Sequence, residues 1–214
     1  PISHIVGRRH FWTLDLIVTP DVLTPRPETE FVVEAGLQVL AREAPARILD
    51  LGVGSGAIAL VLLSERPNAT AVGIDASAAA LEVARKNAEA LGVSERLELR
   101  EGYWVVGLDG AFDLVVSNPP YIPSQDIDGL APEVARYEPR AALDGGPDGL
   151  AAYRIIVAAL PQILRVGGAF ALELGQGQSE TVRALAQAAG LEVDEPRRDL
   201  SGTPRVIVGS RRNV

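Results

Sequence analysis

The chain has 214 residues, 47% hydrophobic and 22% charged, with a formal net charge of −8 at pH 7, the make-up of one soluble domain with a full core. No cysteine is present, which excludes disulfides, a thiol nucleophile and thiolate metal sites, and His4 and His10 lack the spacing of a metal site, so no metal is expected. The acidic balance disfavours nucleic-acid phosphates, and every apolar stretch is too short for a bilayer, so the expectation is a cytoplasmic chain with neither membrane nor nucleic acid as partner. Pro1-Ile2-Ser3-His4 lacks the basic and apolar regions of a secretory leader. Methionine is absent even at position 1, as expected of a chain that has lost an N-terminal segment.

Residues 11 to 18, Phe-Trp-Thr-Leu-Asp-Leu-Ile-Val, read as a strand that stops at Thr19-Pro20. They predict a short hairpin-like entry segment over residues 5–24, outside the main sheet. Thr24-Pro25-Arg26-Pro27-Glu28-Thr29-Glu30 then leads into a helix, with acids in its first turn, Phe31, Glu34, Leu37 and Leu40 at three-residue steps, and an end at Ala44-Pro45. From there the patterns alternate: strand 46–51, helix 56–66, strand 69–75, helix 77–91, strand 95–101 and strand 112–117. After a polar loop, 122–147, come helix 148–165, strand 169–175, helix 178–189 and two terminal strands near 191–195 and 204–210. This alternation predicts a doubly wound α/β fold with a mostly parallel, seven-stranded sheet.

Three stretches carry chemistry. In Ile48-Leu49-Asp50-Leu51-Gly52-Val53-Gly54-Ser55-Gly56 a strand turns through three glycines into a helix, which lets a ligand lie against bare backbone at the carboxyl edge of the sheet. The spacing is Gly-x-Gly-x-Gly rather than the Gly-x-Gly-x-x-Gly that seats a pyrophosphate, so NAD is the weaker reading. Asp75 ends the next strand, where an acid reaches a ribose diol; the alternative is a cap on the helix that follows. A nucleoside without a bridging phosphate suggests S-adenosylmethionine. Third, the apolar run Phe112–Val116 enters Ser117-Asn118-Pro119-Pro120-Tyr121 beside the first strand, at the switch point of such a sheet. The two prolines donate no N–H, so the Asn118 side-chain oxygen and a nearby backbone carbonyl are available to accept both hydrogens of a planar NH2 group, with Tyr121 stacked on it. The alternative is that Asn-Pro only initiates a turn.

Asp50 to Gly56, Asp75 and Asn118 to Tyr121 together resemble the class I S-adenosylmethionine-dependent methyltransferases that modify planar nitrogens. More narrowly, Pro25-Arg26-Pro27-Glu28-Thr29-Glu30, Tyr137-Glu138-Pro139, Gly145-Gly146-x-Asp148-Gly149-Leu150, Glu173-x-Gly175 and Asp199-Leu200-x-Gly202 with Arg205 are similar to the HemK-type protein-(glutamine-N5) methyltransferases of peptide chain release factors. The resemblance implies a Rossmann-like fold. It implies S-adenosylmethionine as cofactor and S-adenosylhomocysteine as product, held by Asp50, Gly52, Gly54, Gly56, Asp75 and Asn118. It also implies a release-factor glutamine, in a Gly-Gly-Gln context, bound by Asn118, Pro119, Pro120 and Tyr121, with Asn118, Pro119 and Tyr121 catalytic. Glu28, Thr29, Glu30 and Trp104 are candidate pocket residues; the first three read equally as polar residues complementing a helix dipole, and Glu173 and Arg140 are open in the same way. The resemblance divides the chain into residues 1–24, the remnant of a linker to the helical domain that family members carry ahead of the position matching Pro1, and a methyltransferase domain over 25–214. At two points the chain departs from the family: Glu101-Gly102-Tyr103-Trp104 stands where relatives commonly place an acid for the adenine amine, and Thr13 stands where relatives often have glycine after the aromatic pair. The alternative function is an exocyclic-amine methyltransferase of DNA or RNA bases.

Overall fold

The computed structural model describes residues 1–213. A short helix, α1 (Ile2–Val6), and the hairpin β1 (Arg8–Phe11) and β2 (Leu14–Ile17) precede α2 (Glu30–Val39). The main body continues as β3 (Ala46–Leu51), α3 (Ala57–Glu65), β4 (Ala69–Asp75), α4 (Ala78–Ala90), β5 (Leu97–Glu101) and β6 (Phe112–Ser117). Then follow α5 (Pro132–Ala135), α6 (Ala151–Ile163), β7 (Leu164–Glu173), α7 (Ser179–Ala188), β8 (Glu192–Val193), β9 (Arg197–Arg198) and β10 (Pro204–Ser210). The sheet order is β5-β4-β3-β6-β7-β10-β8. The strands from β5 to β7 are parallel, and β10 and β8 are added antiparallel. The seven strands of the expected sheet are all present, and the two-residue β9 adds an eighth beside β10.

Alternation along each strand serves two faces at once. Ile48, Leu114, Val116 and Ala171 join the core beneath α2, α3 and α4, while Leu49, Leu51, Val115, Phe170 and Leu172 join the core with Tyr153, Ile156 and Val182 of α6 and α7. Seven consecutive residues of α3, Ala57 to Leu63, are buried. A helix apolar all round has no solvent face, and α3 packs on β3 and β4 with α2 on one side and α4 on the other.

Two local readings are corrected. The run 11–18 is not one strand: the chain turns at Trp12, with φ 56°, so that Leu14 and Leu16 fold back against Phe11 and Arg9. In α2, Phe31 and Leu37 are only half-buried and Glu34 is exposed; the buried side is Val32, Val33, Ala35 and Gly36. A strict three-residue step drifts off a 3.6-residue period, which is why that stripe misplaced the face. The helix also stops at Val39 rather than Pro45, because the Arg66 guanidinium bonds the carbonyls of Leu37 (2.6 Å) and Leu40 (2.8 Å) and satisfies its end.

The hairpin packs on the main body. Phe11 and Leu16 belong to its core, the Trp12 N–H donates to Glu30 (2.8 Å), and the buried Asn87 of α4 accepts from the Ile17 N–H (2.7 Å) while donating to the Ile17 and Ser55 carbonyls.

Candidate active site

The order in which strands are added reverses between β3 and β6, and the loops leaving their carboxyl ends part there to open a cleft. On the β3 side the chain turns through Gly52 (φ 71°), Gly54 (φ 53°) and Gly56 (φ 89°), a left-handed backbone that side chains resist. Gly52 and Gly54 line the cleft and Gly56 does not. A Cβ at Gly56 would meet Leu60 at 2.8 Å, so that glycine serves the packing of α3. Asp75, at the end of β4, lines the cleft and braces the turn: its Oδ2 accepts from the Gly54 N–H (2.9 Å) and its Oδ1 from the Ser77 N–H (3.0 Å). Ser77, not Asp75, caps α4, through Oγ to the Ala80 N–H (3.1 Å).

Asp50 lies beneath the glycine turn rather than on the cleft, with 1% of its surface exposed. Its Oδ2 accepts from the Ala59 N–H at the start of α3 (3.1 Å), and its Oδ1 has no partner. Burial pushes this carboxyl up to about 7. A carboxyl raised in the folded state binds protons there that the unfolded chain has already lost, so its ionisation erodes stability as pH rises from about 4 to 7. Asp50→Asn is therefore expected to gain roughly 5 °C in melting temperature over the parent chain at pH 8 and little at pH 4. Calorimetric melts at the two pH values check this, and an equal shift at both would show that Asp50 is not an ionising cost.

On the β6 side, Ser117 ties its hydroxyl to the Leu51 carbonyl (2.6 Å) and holds the two strand ends together. The next residue, Asn118, donates Nδ2–H to Thr29 Oγ1 (3.4 Å), and its Oδ1 has no protein donor among the described residues. Thr29 gives its proton to Glu173 Oε2 (2.6 Å), and the Tyr121 hydroxyl reaches Glu173 Oε1 (3.3 Å). Glu173 is 2% exposed, and burial pushes its carboxyl up to about 7 against the pull of those two hydroxyls. Burial, then Glu173 itself, raises the Tyr121 phenol. From behind, Gln178 donates to the Tyr121 carbonyl (2.9 Å) and accepts from the Gly175 N–H (3.0 Å). Gly149, at φ 77°, passes so close that a Cβ there would lie 2.5 Å from the Tyr121 carbonyl.

The cleft holds a cavity of about 510 Å³, lined by Gly52, Gly54, Asp75, Trp104, Asn118, Pro120 and Thr29 among others. The acidic side chains on its wall are Asp21, Asp75 and Asp144, and among the described residues no Lys, Arg or His lines it. A second recess of about 110 Å³ opens between Asn118, Pro119 and Tyr121, walled by Leu23, Val134 and Leu143. Asn118 alone of the expected acceptor residues borders both spaces. Glu28 and Glu30 line neither; Glu30 instead receives the Trp12 N–H.

Sequence reasoning missed Asp144 and Gln178. Asp144 reaches the cleft because Ile122 and Asp144 pair as a bridge, and its carboxyl is held down by the Ser124 hydroxyl and the Gly146 N–H. Neither residue has a local signal that aims it at the site, since Asp144 is placed by Ile122 and Ser124 and Gln178 by Tyr121, each 20 or more positions away. The motif residues Arg26 and Glu138 form a half-buried ion pair (2.5 Å), with the Thr24 N–H also on Glu138 (3.3 Å), which fastens the segment before α2 to the 122–147 loop. Arg140 pairs with Asp128 and Asp144. Asp199 collects Ser201, Thr203 and Arg205, a loop brace that holds its carboxyl far down. Among the described residues no acid or histidine cluster suits a metal ion, and no helix is long and apolar enough to cross a membrane.

A glycine turn and an acid at the ends of adjacent parallel strands, facing an Asn-Pro-Pro-Tyr loop across the switch point, are features of the Rossmann-like methyltransferases. The family model "Methyltransferase small domain" matches residues 31–135. A methyltransferase from Pyrococcus furiosus superposes with a TM-score of 0.69 at 18% identity, over 99% of this chain and 94% of that one. A ribosomal protein L11 methylase from Lactobacillus delbrueckii subsp. bulgaricus gives 0.62 at 18%, over 88% and 81%. In sequence the chain is 52% identical to the release factor glutamine methyltransferase of Caulobacter vibrioides, over 98% of this chain and 73% of that protein. It is 51% identical to that of Rhodospirillum rubrum, over 99% and 65%. The chain belongs to the release factor glutamine methyltransferase family.

Proposed function

We propose that the chain transfers a methyl group from S-adenosylmethionine to the side-chain amide nitrogen of a glutamine in peptide chain release factors, in a Gly-Gly-Gln context. The observation that carries this is Asn118, which borders both the large cavity and the small recess and whose Oδ1 has no protein donor among the described residues.

The large cavity suits the cofactor. Gly52 and Gly54 offer bare backbone, Asp75 stands at the strand end where a ribose diol is bound, and the wall charges are all negative, which suits a sulfonium and repels a phosphate-bearing nucleotide. The half-buried indole of Trp104 packs beside Gly52 and supplies an apolar wall. When bound, the cofactor presents a methyl group already activated by its positive sulfur.

The protein's own contribution is placement. An amide nitrogen is a poor nucleophile because its lone pair is delocalised into the carbonyl. Asn118 Oδ1 and the Pro119 carbonyl, neither reached by a protein donor among the described residues, accept its two N–H bonds, fix the plane of the group and favour electron density on nitrogen. Aligned approach then supplies much of the rate. The recess beside Pro119 and Tyr121, about 110 Å³, admits a slim glutamine side chain when the flanking residues are as small as glycine. A flipped base is bulkier, and nucleic acid brings phosphates toward the acidic wall.

The test is mass spectrometry of release factor incubated with the chain and isotopically labelled cofactor, with duplex DNA and ribosomal RNA in parallel. Label on the Gly-Gly-Gln glutamine is expected. Label on adenine or guanine amines, with release factor unmodified, would replace this assignment with the nucleic-acid one.

A further inference from the structure

Resting on the acceptor assigned above, we infer that Glu173, acting through Thr29, is a positioning residue that sets which way round the Asn118 amide sits, nitrogen toward Thr29 and oxygen toward the substrate, and that a proton on Glu173 reverses it.

The argument is a count of protons along three contacts. Thr29 has one hydroxyl hydrogen, and it goes to Glu173 Oε2 at 2.6 Å. What Thr29 Oγ1 then presents to Asn118 is lone pairs, so only the amide NH2 fits there, at 3.4 Å. Turned over, the amide would set Oδ1 against those lone pairs and aim N–H groups at the donor groups of the acceptor amide. An asparagine alone has no such preference, because its two ends have nearly the same shape. The direction is imposed from Glu173, two hydrogen bonds away.

Protonated, Glu173 becomes a donor. With its hydrogen on Oε2 it donates to Thr29, whose own hydrogen is released toward Asn118, and the favoured amide orientation inverts. No bond other than hydrogen bonds changes, and one proton is taken from solvent. The groups around Glu173 fix where this happens. Burial and Glu28 favour the protonated form, while Thr29, Tyr121 and Arg205 favour the carboxylate, with a balance near 7. Tyr153 of α6 donates to the Glu173 backbone carbonyl (2.6 Å) and pins the strand end without touching the carboxylate. All of these lie within β7 or the segments against it: residues 27–29, the Asn118–Tyr121 loop, α6 and β10.

The experiment has two arms on the full chain. In the first, the side-chain 15NH2 signals of Asn118, assigned by their loss in Asn118→Asp, are followed from pH 5.5 to 8.5 without substrate. They are expected to titrate in the parent chain and in Thr29→Ser, which keeps the hydroxyl, and to stop titrating in Thr29→Val and Glu173→Gln. In the second, methylation of release factor is measured over the same range. We expect the parent and Thr29→Ser to lose kcat on the acid side of an apparent pKa near that of Glu173, with KM for both substrates little changed. Thr29→Val should lower kcat about tenfold or more and flatten that limb, since the amide is then free to turn. Glu173→Gln, checked for folding by its melting curve, should flatten it as well. An Asn118 signal indifferent to pH in the parent chain, or one that titrates unchanged in Thr29→Val, overturns the inference. So does a Thr29→Ser chain as impaired as Thr29→Val, because packing rather than the hydroxyl would then be at work. If release factor is not methylated by the parent chain while the Asn118 amide still titrates through Thr29, the acceptor assignment falls and the relay stands.

Discussion

Asn118→Ala is expected to slow methyl transfer roughly a hundred- to a thousandfold while cofactor affinity stays within about twofold, the effect of deleting one preorganised partner of the reacting group. The fold does not depend on this side chain. Among the described residues its only side-chain hydrogen bond is the long one to Thr29, and the backbone on either side is held by Ser117 on Leu51 and by Gln178 on Tyr121. What is lost is the acceptor for one N–H of the substrate amide. The Pro119 carbonyl is left to orient the group alone, and the lone pair no longer meets the methyl group in line. Single-turnover transfer to release factor gives the rate and calorimetry gives the cofactor affinity. A variant that keeps its turnover within tenfold of the parent would remove Asn118 from the chemistry.

Asp75→Ala is expected to weaken cofactor binding about thirty- to a hundredfold with a small change in melting temperature, as for a paired carboxylate removed from a binding cleft. Two roles converge on Asp75. It lines the cavity proposed for the cofactor, and both its oxygens are already engaged by Gly54 and Ser77, so its loss also slackens the glycine turn. Stability changes little because Asp75 is only half-buried and Ser77 keeps its own cap on α4. Calorimetric titration decides the matter: undiminished affinity in a folded Asp75→Ala chain would mean that Asp75 only braces the loop.

The sheet was legible because its parallel strands are short apolar runs closed by chemistry-bearing residues: Asp50 to Gly56 after β3, Asp75 at the end of β4, Asn118 after β6. Local pattern suffices for such elements, and the order in which they pair follows from the switch point. The C-terminal end of α2 and the turn at Trp12 inside the expected hairpin-like segment were not legible. Both are decided by partners far along the chain, Arg66 for the helix end and Asn87 and Glu30 for the hairpin. In the cleft, the residues facing the ligand were readable from type and spacing, but their division of labour was not. Spacing put Asp50 and Gly56 with Gly52 and Gly54; burial separates them, one as the anchor of a helix start, the other as room for Leu60. Gln178 and Asp144 were invisible for the same reason that Glu173 was ambiguous: each works through a partner distant in the sequence.

Gln178 has a consequence for how the molecule opens. One amide side chain on the residue preceding α7 joins the Tyr121 carbonyl to the Gly175 N–H, so the acceptor loop cannot swing out without releasing the turn into α7. Local openings in a folded chain occur in cooperative units rather than residue by residue. Here the acceptor loop and the start of α7 form one such unit although more than fifty positions separate them in sequence. Backbone amides at Ile122, Gly145 and Val182 should therefore exchange with deuterium at a common rate, and Gln178→Ala should release the first two from the third.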